Sequence, residues 1–373
     1  MKVVAAIDSF KGSMTSMEAG NAVKKGILAA KPDAEVVVKP LADGGEGTVD
    51  ALIEGLGAEK IPVTVAGPLG EKVSCYYGFL EETKTAVMEM ASAAGITLVT
   101  KKDPLRASTY GVGEMIADAL KRGCKNFMIG IGGSATNDGG IGMLKALGFE
   151  FFDEDGNDVG EGAAALAKIE VIRTENKNPL LSGAKFQIAC DVKNPLCGKQ
   201  GATYIFGPQK GVTEEQKEQV DEAMKHYADV TKESLGCDFA DYEGAGAAGG
   251  LGYAFLSYLA GELIPGVELI LQATGLEEKM KNADVVVTGE GRLDAQTVMG
   301  KAPAGVAALA KKYNAKVIAF AGSVAPEAKV CNRAGIDAFF PIVRGVTTLE
   351  EAMKKENAME NIAATAEQVF RLL

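Results

Sequence analysis

The chain has 373 residues, of which 47% are hydrophobic and 24% charged, and its formal net charge is −11. This composition is typical of a folded globular protein, and the length favours two domains. The acidic balance argues against nucleic acid as a partner, because most of the affinity for nucleic acid comes from basic residues that neutralise its many phosphates. The sequence contains no run of about 18 apolar residues, so it predicts no membrane-spanning helix. Six scattered cysteines without a C-x-x-C pair suit a reducing compartment, so we expect a cytoplasmic protein.

Strand and helix signals alternate at the start of the chain. Residues 3–7 form a short apolar run typical of a buried strand. Thr15–Glu18 match the capping box that opens a helix, and Pro32 prevents that helix from continuing. A second apolar strand over 35–41 is followed by a helix through Leu56. This alternation predicts a parallel sheet.

The pattern changes after residue 58. Between residues 60 and 90 the sequence predicts three strands joined by turns at Gly67–Gly70 and Glu81–Lys84, which is a meander. A helix near Val112–Lys121 comes next, and further strands precede Gly130 and Asp191. The middle of the chain therefore differs in architecture from its start.

Strands and helices alternate again from Ala283 onwards. Three more buried strands lie in this region, and Thr347–Glu350 match a capping box that opens a C-terminal helix. Together with the two N-terminal strands they give five buried strands in one pattern. We infer an α/β protein of two domains: a doubly wound domain built from residues 1–57 and 276–373, and an inserted α/β domain, 58–275, that contains the meander near 60–90.

Four glycine-rich or acidic segments follow predicted buried strands: 8–13, 42–48, 130–140 and 288–294. Ligands of parallel sheets bind just beyond the carboxyl ends of the strands, so we expect the four segments to share a cleft. Segment 130–140 has five glycines in eleven residues. Such a loop leaves room for an anion beside the backbone N–H groups. The alternative is a tight turn capped by Ser134 or Asp138.

The residue types narrow the chemistry. The sole histidine, His226, lies in the middle of a polar predicted helix, which argues against Ser-His and Cys-His hydrolases. Any general base must then be a carboxylate or a lysine. The candidates at strand ends are Asp8, Asp43, Glu46, Asp138, Asp191, Glu290 and Asp294, with Lys11 and Lys301 as cations. Carboxylates beside glycine-rich loops favour Mg²⁺-dependent phosphoryl transfer.

Nucleotide-binding fingerprints leave one alternative open. The chain has no Walker A sequence, so it is not a P-loop enzyme. Gly130-x-Gly132-x-x-Ala135 follows a predicted strand, whereas Gly244-x-Gly246-x-x-Gly249 does not. Because the strand expected after the first fingerprint lies some fifty residues further on, an NAD(P)-dependent oxidoreductase is the less favoured interpretation.

Seven segments, in this order along the whole chain, resemble the bacterial glycerate kinase family (type 1). They are IDSFKGS, PLADGGEGT, GIGGSATNDGG, ACDVKNPLCG, GAAGGLGYAF, LIPGVELIL and VVVTGEGRLDAQTVMGKAP. The resemblance implies transfer of the γ-phosphoryl group of ATP, with Mg²⁺, to D-glycerate in an interdomain cleft. The product would be 2-phosphoglycerate, or 3-phosphoglycerate in older naming. It also implies a flavodoxin-like domain and an inserted domain of sugar-isomerase (SIS) layout with a small barrel-like hairpin insertion.

Residue roles follow from that resemblance as expectations. Asp191 is the expected general base, with a structural cap of the following turn as its alternative, and Asp8 and Lys11 are further catalytic candidates. The residues expected to bind phosphate or the substrate carboxylate are Ser9, Gly132, Gly133, Ser134, Thr136, Asn137, Asn194 and Arg292. The expected Mg²⁺ ligands are Asp43, Glu46 and Glu290. Oligomeric state, including a homo-oligomer, is left open.

A second alternative comes from a different functional class. The SIS-like half alone would suit a non-catalytic sensor of sugar phosphates or hydroxy acids. Such regulators commonly carry a basic helical DNA-binding module, which this sequence lacks, and the acidic loops would then have no role. The kinase is therefore the favoured interpretation.

Overall fold

The computed structural model describes residues 1–42 and 48–373. Within that part the strands are β1 (Lys2–Ile7), β2 (Glu35–Pro40), β3 (Glu59–Ala66), β4 (Lys72–Leu80), β5 (Thr85–Glu89), β6 (Asn126–Gly130), β7 (Glu150–Phe152), β8 (Val171–Arg173), β9 (Lys185–Ala189), β10 (Glu262–Ile264), β11 (Val285–Leu293), β12 (Lys316–Val324) and β13 (Ala338–Pro341).

The α-helices of the same residues are α1 (Ser16–Ala30), α2 (Thr48–Leu56), α3 (Ala91–Ala94), α4 (Tyr110–Lys121), α5 (Ile141–Ala146), α6 (Ala163–Leu166), α7 (Ala202–Lys210), α8 (Glu214–Leu235), α9 (Ala247–Leu259), α10 (Gly266–Ala273), α11 (Leu276–Met280), α12 (Ala302–Lys311), α13 (Val330–Arg333), α14 (Leu349–Met353) and α15 (Lys355–Arg371). Short 3₁₀ helices span Ile96–Leu98, Pro179–Leu181, Ala295–Val298 and Pro326–Lys329. None of these described helices is both long and apolar enough to cross a bilayer.

The chain divides into two compact units, and the α/β class predicted from the sequence is confirmed. Unit 1 contains the described residues of Met1–Asp43, Asp50–Gly57 and Val267–Leu373. Unit 2 contains those of Gly44–Val49 and Ala58–Gly266. The sequence predicts the return to the first domain at residue 276, whereas unit 1 resumes at Val267.

Unit 1 is built on a five-stranded, fully parallel sheet with the order β2-β1-β11-β12-β13. Alternate residues of β1, namely Val3, Ala5 and Ile7, share one hydrophobic core with α1 and α15. Helix α12 packs against β11 and β12 on the opposite face. Helices on both faces explain why β1 is a continuous apolar run.

Strand β11 is longer than the sequence predicts. The prediction of a loop over 288–294 is wrong, because β11 continues to Leu293 and stays paired with β12 up to Val324. Glycine permits the pairing at residue 289, where a Cβ would lie 2.1 Å from the carbonyl oxygen of Phe320. The functional side chains of this segment therefore project from a strand.

The helix caps follow the sequence signals with one shift. The Thr15–Glu18 capping box is formed in both directions at the start of α1. At the C-terminal end the predicted cap at Thr347 is wrong by one residue, because Thr348 accepts the N–H of Glu351 instead. The single predicted helix is also divided, since Lys354 separates α14 from α15.

Unit 2 has a six-stranded mixed sheet with the order β10-β9-β6-β5-β4-β3. The pairs β10–β9, β9–β6 and β6–β5 are parallel. The pairs β5–β4 and β4–β3 are antiparallel and form the predicted meander. The meander is thus one edge of this sheet, whereas the family resemblance implies a separate barrel-like insertion. A small antiparallel ribbon of β7 and β8 lies outside the sheet.

Candidate active-site pockets

Unit 1 contains a cavity of about 430 Å³. It is lined by residues that follow β1 or belong to the carboxyl ends of β11 and β12, where ligands of parallel sheets bind. Seven predicted site residues meet there: Asp8, Ser9, Lys11, Glu290, Arg292, Asp294 and Lys301. The sequence therefore identified the polar side of this pocket.

Strand β11 contributes a buried carboxylate, Glu290, to the unit 1 pocket. Thr297 donates its hydroxyl to one carboxylate oxygen of Glu290 at 2.6 Å, and the ammonium of Lys301 lies 3.6 Å from the other. Burial raises the pKa of Glu290, while Thr297 and Lys301 oppose that rise. The arrangement holds a desolvated carboxylate beside a cation, which suits a ligand that carries both negative charge and a metal ion.

Asp8 and Ser9 continue directly from β1. The backbone N–H of Asp8 donates to the Gly289 carbonyl, and the N–H of Ser9 donates to the Asp8 carboxylate at 2.7 Å. Asp8 is buried, whereas Lys11 in the same loop is exposed. The segment of four residues from Asp8 to Lys11 thus contains a buried carboxylate and an exposed ammonium group.

Arg292 and Asp294 complete the polar edge of the unit 1 pocket. The Arg292 side chain is exposed and lies 3.6 Å from the Asp294 carboxylate. That carboxylate also accepts the N–H of Gln296 and caps the helix over Ala295–Val298. Arg292 can therefore swing toward a solvent-borne anion at little cost, because an exposed ion pair is weak.

Part of the lining of the same pocket is apolar, and sequence reasoning missed it. Its members come from the β1 loop, the end of β13 and the C-terminal helices: Phe10, Ile342, Val343, Leu349, Ala352 and Met353. A pocket with one apolar wall and one charged wall can receive a ligand with an aromatic part and a phosphate part. The only sequence signal was the apolar spacing of a short helix, which does not identify a ligand.

The predicted Mg²⁺ ligands divide into two sets. Asp43 and Glu46 lie outside the described residues. Glu290 is in the unit 1 pocket with Asp8. Among residues 1–42 and 48–373, no group of three or more His, Cys, Asp or Glu side chains is arranged to hold a metal ion.

Unit 2 contains a smaller cavity of about 220 Å³. Its position follows from strand register, because Gly130 at the end of β6 pairs with Ala189 at the end of β9. Gly132 and Asp191 each lie two residues beyond that pair, so they emerge side by side from adjacent strands. Gly133 and Ser134 line the same cavity. Four of the predicted site residues are thus brought together.

Asp191 is exposed at the mouth of the unit 2 pocket. One of its carboxylate oxygens accepts the backbone N–H of Gly266 at 2.9 Å. This contact orients the side chain, and the carboxylate can accept further hydrogen bonds because it has about four acceptor sites. This hydrogen bond joins Asp191 to the start of α10 and not to the turn that follows Asp191, so it is a different contact from the cap that was the predicted alternative.

Three predicted ligand-binding residues do not line either cavity. Thr136 and Asn137 are fully buried, and the amide of Asn137 donates to the hydroxyl of Thr203 on α7. Asn194 donates to the carbonyl of Gln200 and accepts the N–H of Gly246 through its own carbonyl. These contacts brace the loops that surround the unit 2 pocket.

Lys210 lines the unit 2 pocket, and sequence reasoning missed it. Its side chain is almost completely buried, with 1% exposure, and its ammonium group donates to the Thr136 carbonyl at 2.6 Å. Burial lowers the pKa of Lys210 to about 7, against the attraction of Asp138. Nothing in the sequence GPQKG distinguishes this lysine from a surface one, because its burial depends on packing between distant segments.

Asp138 is fully buried and stabilises the glycine-rich loop through hydrogen bonds. Its carboxylate accepts four hydrogen bonds, from the backbone and hydroxyl of Thr109 and from the N–H groups of Gly140 and Gly142. Burial raises the pKa of Asp138, and these four donors oppose that rise. His226, by contrast, is outside both pockets, and its ring nitrogen lies 2.8 Å from the Ile169 carbonyl.

The whole chain is similar to known proteins. The glycerate kinase family profile matches residues 3–373. The glycerate kinase of Bacillus subtilis (strain 168) is 45% identical over 371 residues, which cover 99% of this chain and 97% of the relative. The glycerate 2-kinase of Escherichia coli (strain K12) is 45% identical over 372 residues, or 98% of each protein. A crystal structure of a candidate glycerate kinase 2 from Salmonella typhimurium LT2 superposes with a TM-score of 0.91 at 43% identity, covering 99% of this chain and 97% of that one.

Each unit has an α/β architecture with a pocket at its strand ends, and the relatives show that the protein is an ATP-dependent kinase. The chain belongs to the glycerate kinase family. Because that family consists of kinases, the sensor and oxidoreductase alternatives are set aside.

Proposed function

We propose that the protein transfers the γ-phosphoryl group of Mg-ATP to a hydroxyl of D-glycerate. The observation that carries this proposal is the unit 2 pocket, where the exposed carboxylate of Asp191 lies beside the glycine-rich segment at the ends of two paired strands. A carboxylate that can take a hydroxyl proton, next to backbone that can bind an anion, suits a small hydroxy acid. The names of the relatives support the choice of glycerate.

The sizes of the two pockets support different ligands for each of them. Pockets for ligands of about the size of a nucleotide have volumes of roughly 300–1,000 Å³. The unit 1 cavity of about 430 Å³ is within that range, and it has the apolar wall that a purine ring requires. The unit 2 cavity of about 220 Å³ suits a three-carbon acid. We therefore assign ATP to unit 1 and the acceptor to unit 2.

Asp191 is assigned as the general base. It accepts the proton of the attacking hydroxyl as the new O–P bond forms and the bond from the γ-phosphorus to the ADP oxygen breaks. The contact with the Gly266 N–H keeps the carboxylate oriented during that step. Positioned general bases of this kind contribute roughly 10²- to 10⁴-fold to the rate.

The cations of the unit 1 pocket are assigned to the phosphates of the nucleotide. Lys11, Arg292 and Lys301 all line that pocket, and Arg292 is exposed enough to reorient. A guanidinium forms two parallel hydrogen bonds to a phosphate, whereas each ammonium acts as a point charge. Together they offset the negative charge of a triphosphate.

The donor set in the unit 1 pocket fits Mg²⁺. Mg²⁺ is commonly held by one or two carboxylates together with substrate phosphates, so a full protein cluster is not needed. Glu290 and Asp8 would supply those oxygens, and Asp43 and Glu46 remain candidates from outside the described residues. When bound, the ion would neutralise charge on the β- and γ-phosphates.

Finer assignments complete the proposal. The strand order of unit 1 supports a flavodoxin-like domain, and the mixed sheet of unit 2 is compatible with the SIS-like layout. The name of the Escherichia coli relative favours 2-phosphoglycerate as product over 3-phosphoglycerate. We further propose a cytoplasmic location.

The test is steady-state ADP release with D-glycerate, L-glycerate or lactate as acceptor. We expect turnover that requires both D-glycerate and Mg²⁺, with lactate inactive or weak because it lacks one hydroxyl. ATP hydrolysis that is independent of any hydroxy acid would contradict the assignment of the acceptor.

A further inference from the structure

Lys210 in the unit 2 pocket has no role in the phosphoryl transfer described above. Lys210 lines this pocket with 1% exposure, and among the described residues its ammonium has one hydrogen-bond acceptor, the Thr136 carbonyl. An ammonium group has three donors, so two remain for a ligand. A buried ammonium without a full set of partners is costly, which makes this position an exception to the usual placement of lysines.

The surrounding segments fix the position of Lys210. Helix α7 is joined to the glycine-rich loop near both of its ends, through the Asn137–Thr203 hydrogen bond and through the Lys210–Thr136 hydrogen bond. Thr136, Asn137 and Thr203 are all fully buried. Lys210 therefore sits on a braced element and not on a mobile surface helix.

The charged and titratable groups around Lys210 come from several elements. The glycine-rich loop contributes Asp138, which is engaged with its own four donors. The segment after β9 contributes Asp191 and the thiol of Cys190 at the pocket wall. Helix α8, which packs against α7, contributes the buried Tyr227. Burial raises the pKa of both Cys190 and Tyr227, so neither is an anion near neutrality.

We propose that Lys210 binds the carboxylate of the acceptor in the unit 2 pocket and takes up one proton from solvent as the acid binds. This inference rests on the proposed function and names the residue that selects hydroxy acids over neutral alcohols. The acid arrives as an anion, and its charge replaces the solvation that burial removed from the ammonium. Lys210 is thus a specificity-determining residue, with Asp191 acting on the hydroxyl.

Proton uptake is the signature of this role. With a pKa of about 7 in the free protein, Lys210 is mostly neutral at pH 8 and mostly protonated at pH 6. Binding of an anion raises that pKa. The uptake should therefore be larger at pH 8, where it approaches one proton per acid, than at pH 6, by linkage.

The experiment is calorimetric titration of D-glycerate into the protein at pH 6 and pH 8, in buffers that differ in ionisation enthalpy. A non-hydrolysable ATP analogue and Mg²⁺ are present throughout. The variants are Lys210→Met, which removes the charge, and Lys210→Arg, which keeps a charge that does not titrate. Lys199→Met is the matched control, because Lys199 is an exposed lysine outside the pocket.

We expect pH-dependent uptake in the wild type and in Lys199→Met, and none in the two Lys210 variants. In turnover, Lys210→Met should raise the KM for D-glycerate by about 10- to 100-fold, the range for a charged hydrogen bond, and leave the KM for ATP within about twofold. Wild-type turnover of D-glycerate without proton uptake would overturn the inference and leave the proposed function intact. No turnover of D-glycerate by the wild type would overturn both.

Discussion

Gly249 lies so close to the carbonyl oxygen of Thr136 that a Cβ at residue 249 would be 2.1 Å from it. Gly249 has a left-handed φ of +72°, and its own carbonyl accepts the N–H of Gly139 at 2.9 Å. The irregular first turn of α9 and the glycine-rich loop thus pack backbone against backbone. The same Thr136 carbonyl accepts the hydrogen bond of Lys210.

Replacing Gly249 by alanine should therefore disturb the unit 2 pocket. Gly236→Ala is the matched control, because Gly236 has a φ of +69° and no atom of the described residues lies within 4 Å of the point that its Cβ would occupy. Both variants bear the left-handed strain of about 1–2 kcal/mol. We expect Gly249→Ala to lose at least about 2 kcal/mol more in urea unfolding, together with most activity. Equal losses in the two variants would contradict the close packing.

Asp191→Asn tests the assignment of the base. Asparagine retains an oxygen that can accept the Gly266 N–H, so the local fold should survive. We expect kcat to fall by roughly 10²- to 10⁴-fold with a small change in the KM for D-glycerate. Asp229→Asn, an exposed carboxylate on α8, is the control and should keep wild-type kcat. A kcat close to that of the wild type in Asp191→Asn would remove Asp191 as the base.

Lys301→Met tests the assignment of the nucleotide to unit 1. Removing this ammonium takes away a charge that lies beside Glu290 in the unit 1 pocket. We expect the KM for ATP to rise by about tenfold or more, as for loss of a charged hydrogen bond, while the KM for D-glycerate is unchanged. Lys312→Met, at the exposed end of α12, is the control. A rise in the KM for D-glycerate alone would reverse the assignment of the pockets.

The burial of Lys210 predicts how stability depends on pH in the absence of ligands. Its pKa is about 7 in the folded protein and about 10.4 when unfolded. Between these values the unfolded state binds the additional proton, so stability rises with pH. From pH 7 to pH 9, the free energy of unfolding of the wild type should rise by about 2 kcal/mol relative to Lys210→Met. Parallel curves for the two proteins would mean that Lys210 titrates normally.

The sequence predicted the elements whose signals are local. Apolar runs such as 3–7 and 35–41 indicated strands, and the capping box at Thr15 marked the start of α1. Strand ends then pointed to Asp8, Glu290, Gly132 and Asp191, which do meet in two pockets. These features depend on a few neighbouring residues and on the rule that parallel strands present one common edge.

What the sequence did not predict depends on distant contacts. The extension of β11 through Leu293 needs β12 as a partner, and glycines that suggest a loop serve there to let strands approach. The burial of Lys210 needs α7 to be held against a loop some seventy residues earlier. The attachment of the meander to the main sheet depends on the parallel pairing of β5 with β6.

The most direct test of the proposed reaction is ³¹P NMR of the protein with Mg-ATP and D-glycerate, against a control without D-glycerate. We predict a new phosphomonoester signal that appears only with D-glycerate and grows as ADP forms, with the proton coupling of a phosphate on O2. A signal coupled to two methylene protons would instead assign the phosphate to O3. No new phosphomonoester in the presence of D-glycerate would contradict the proposed function.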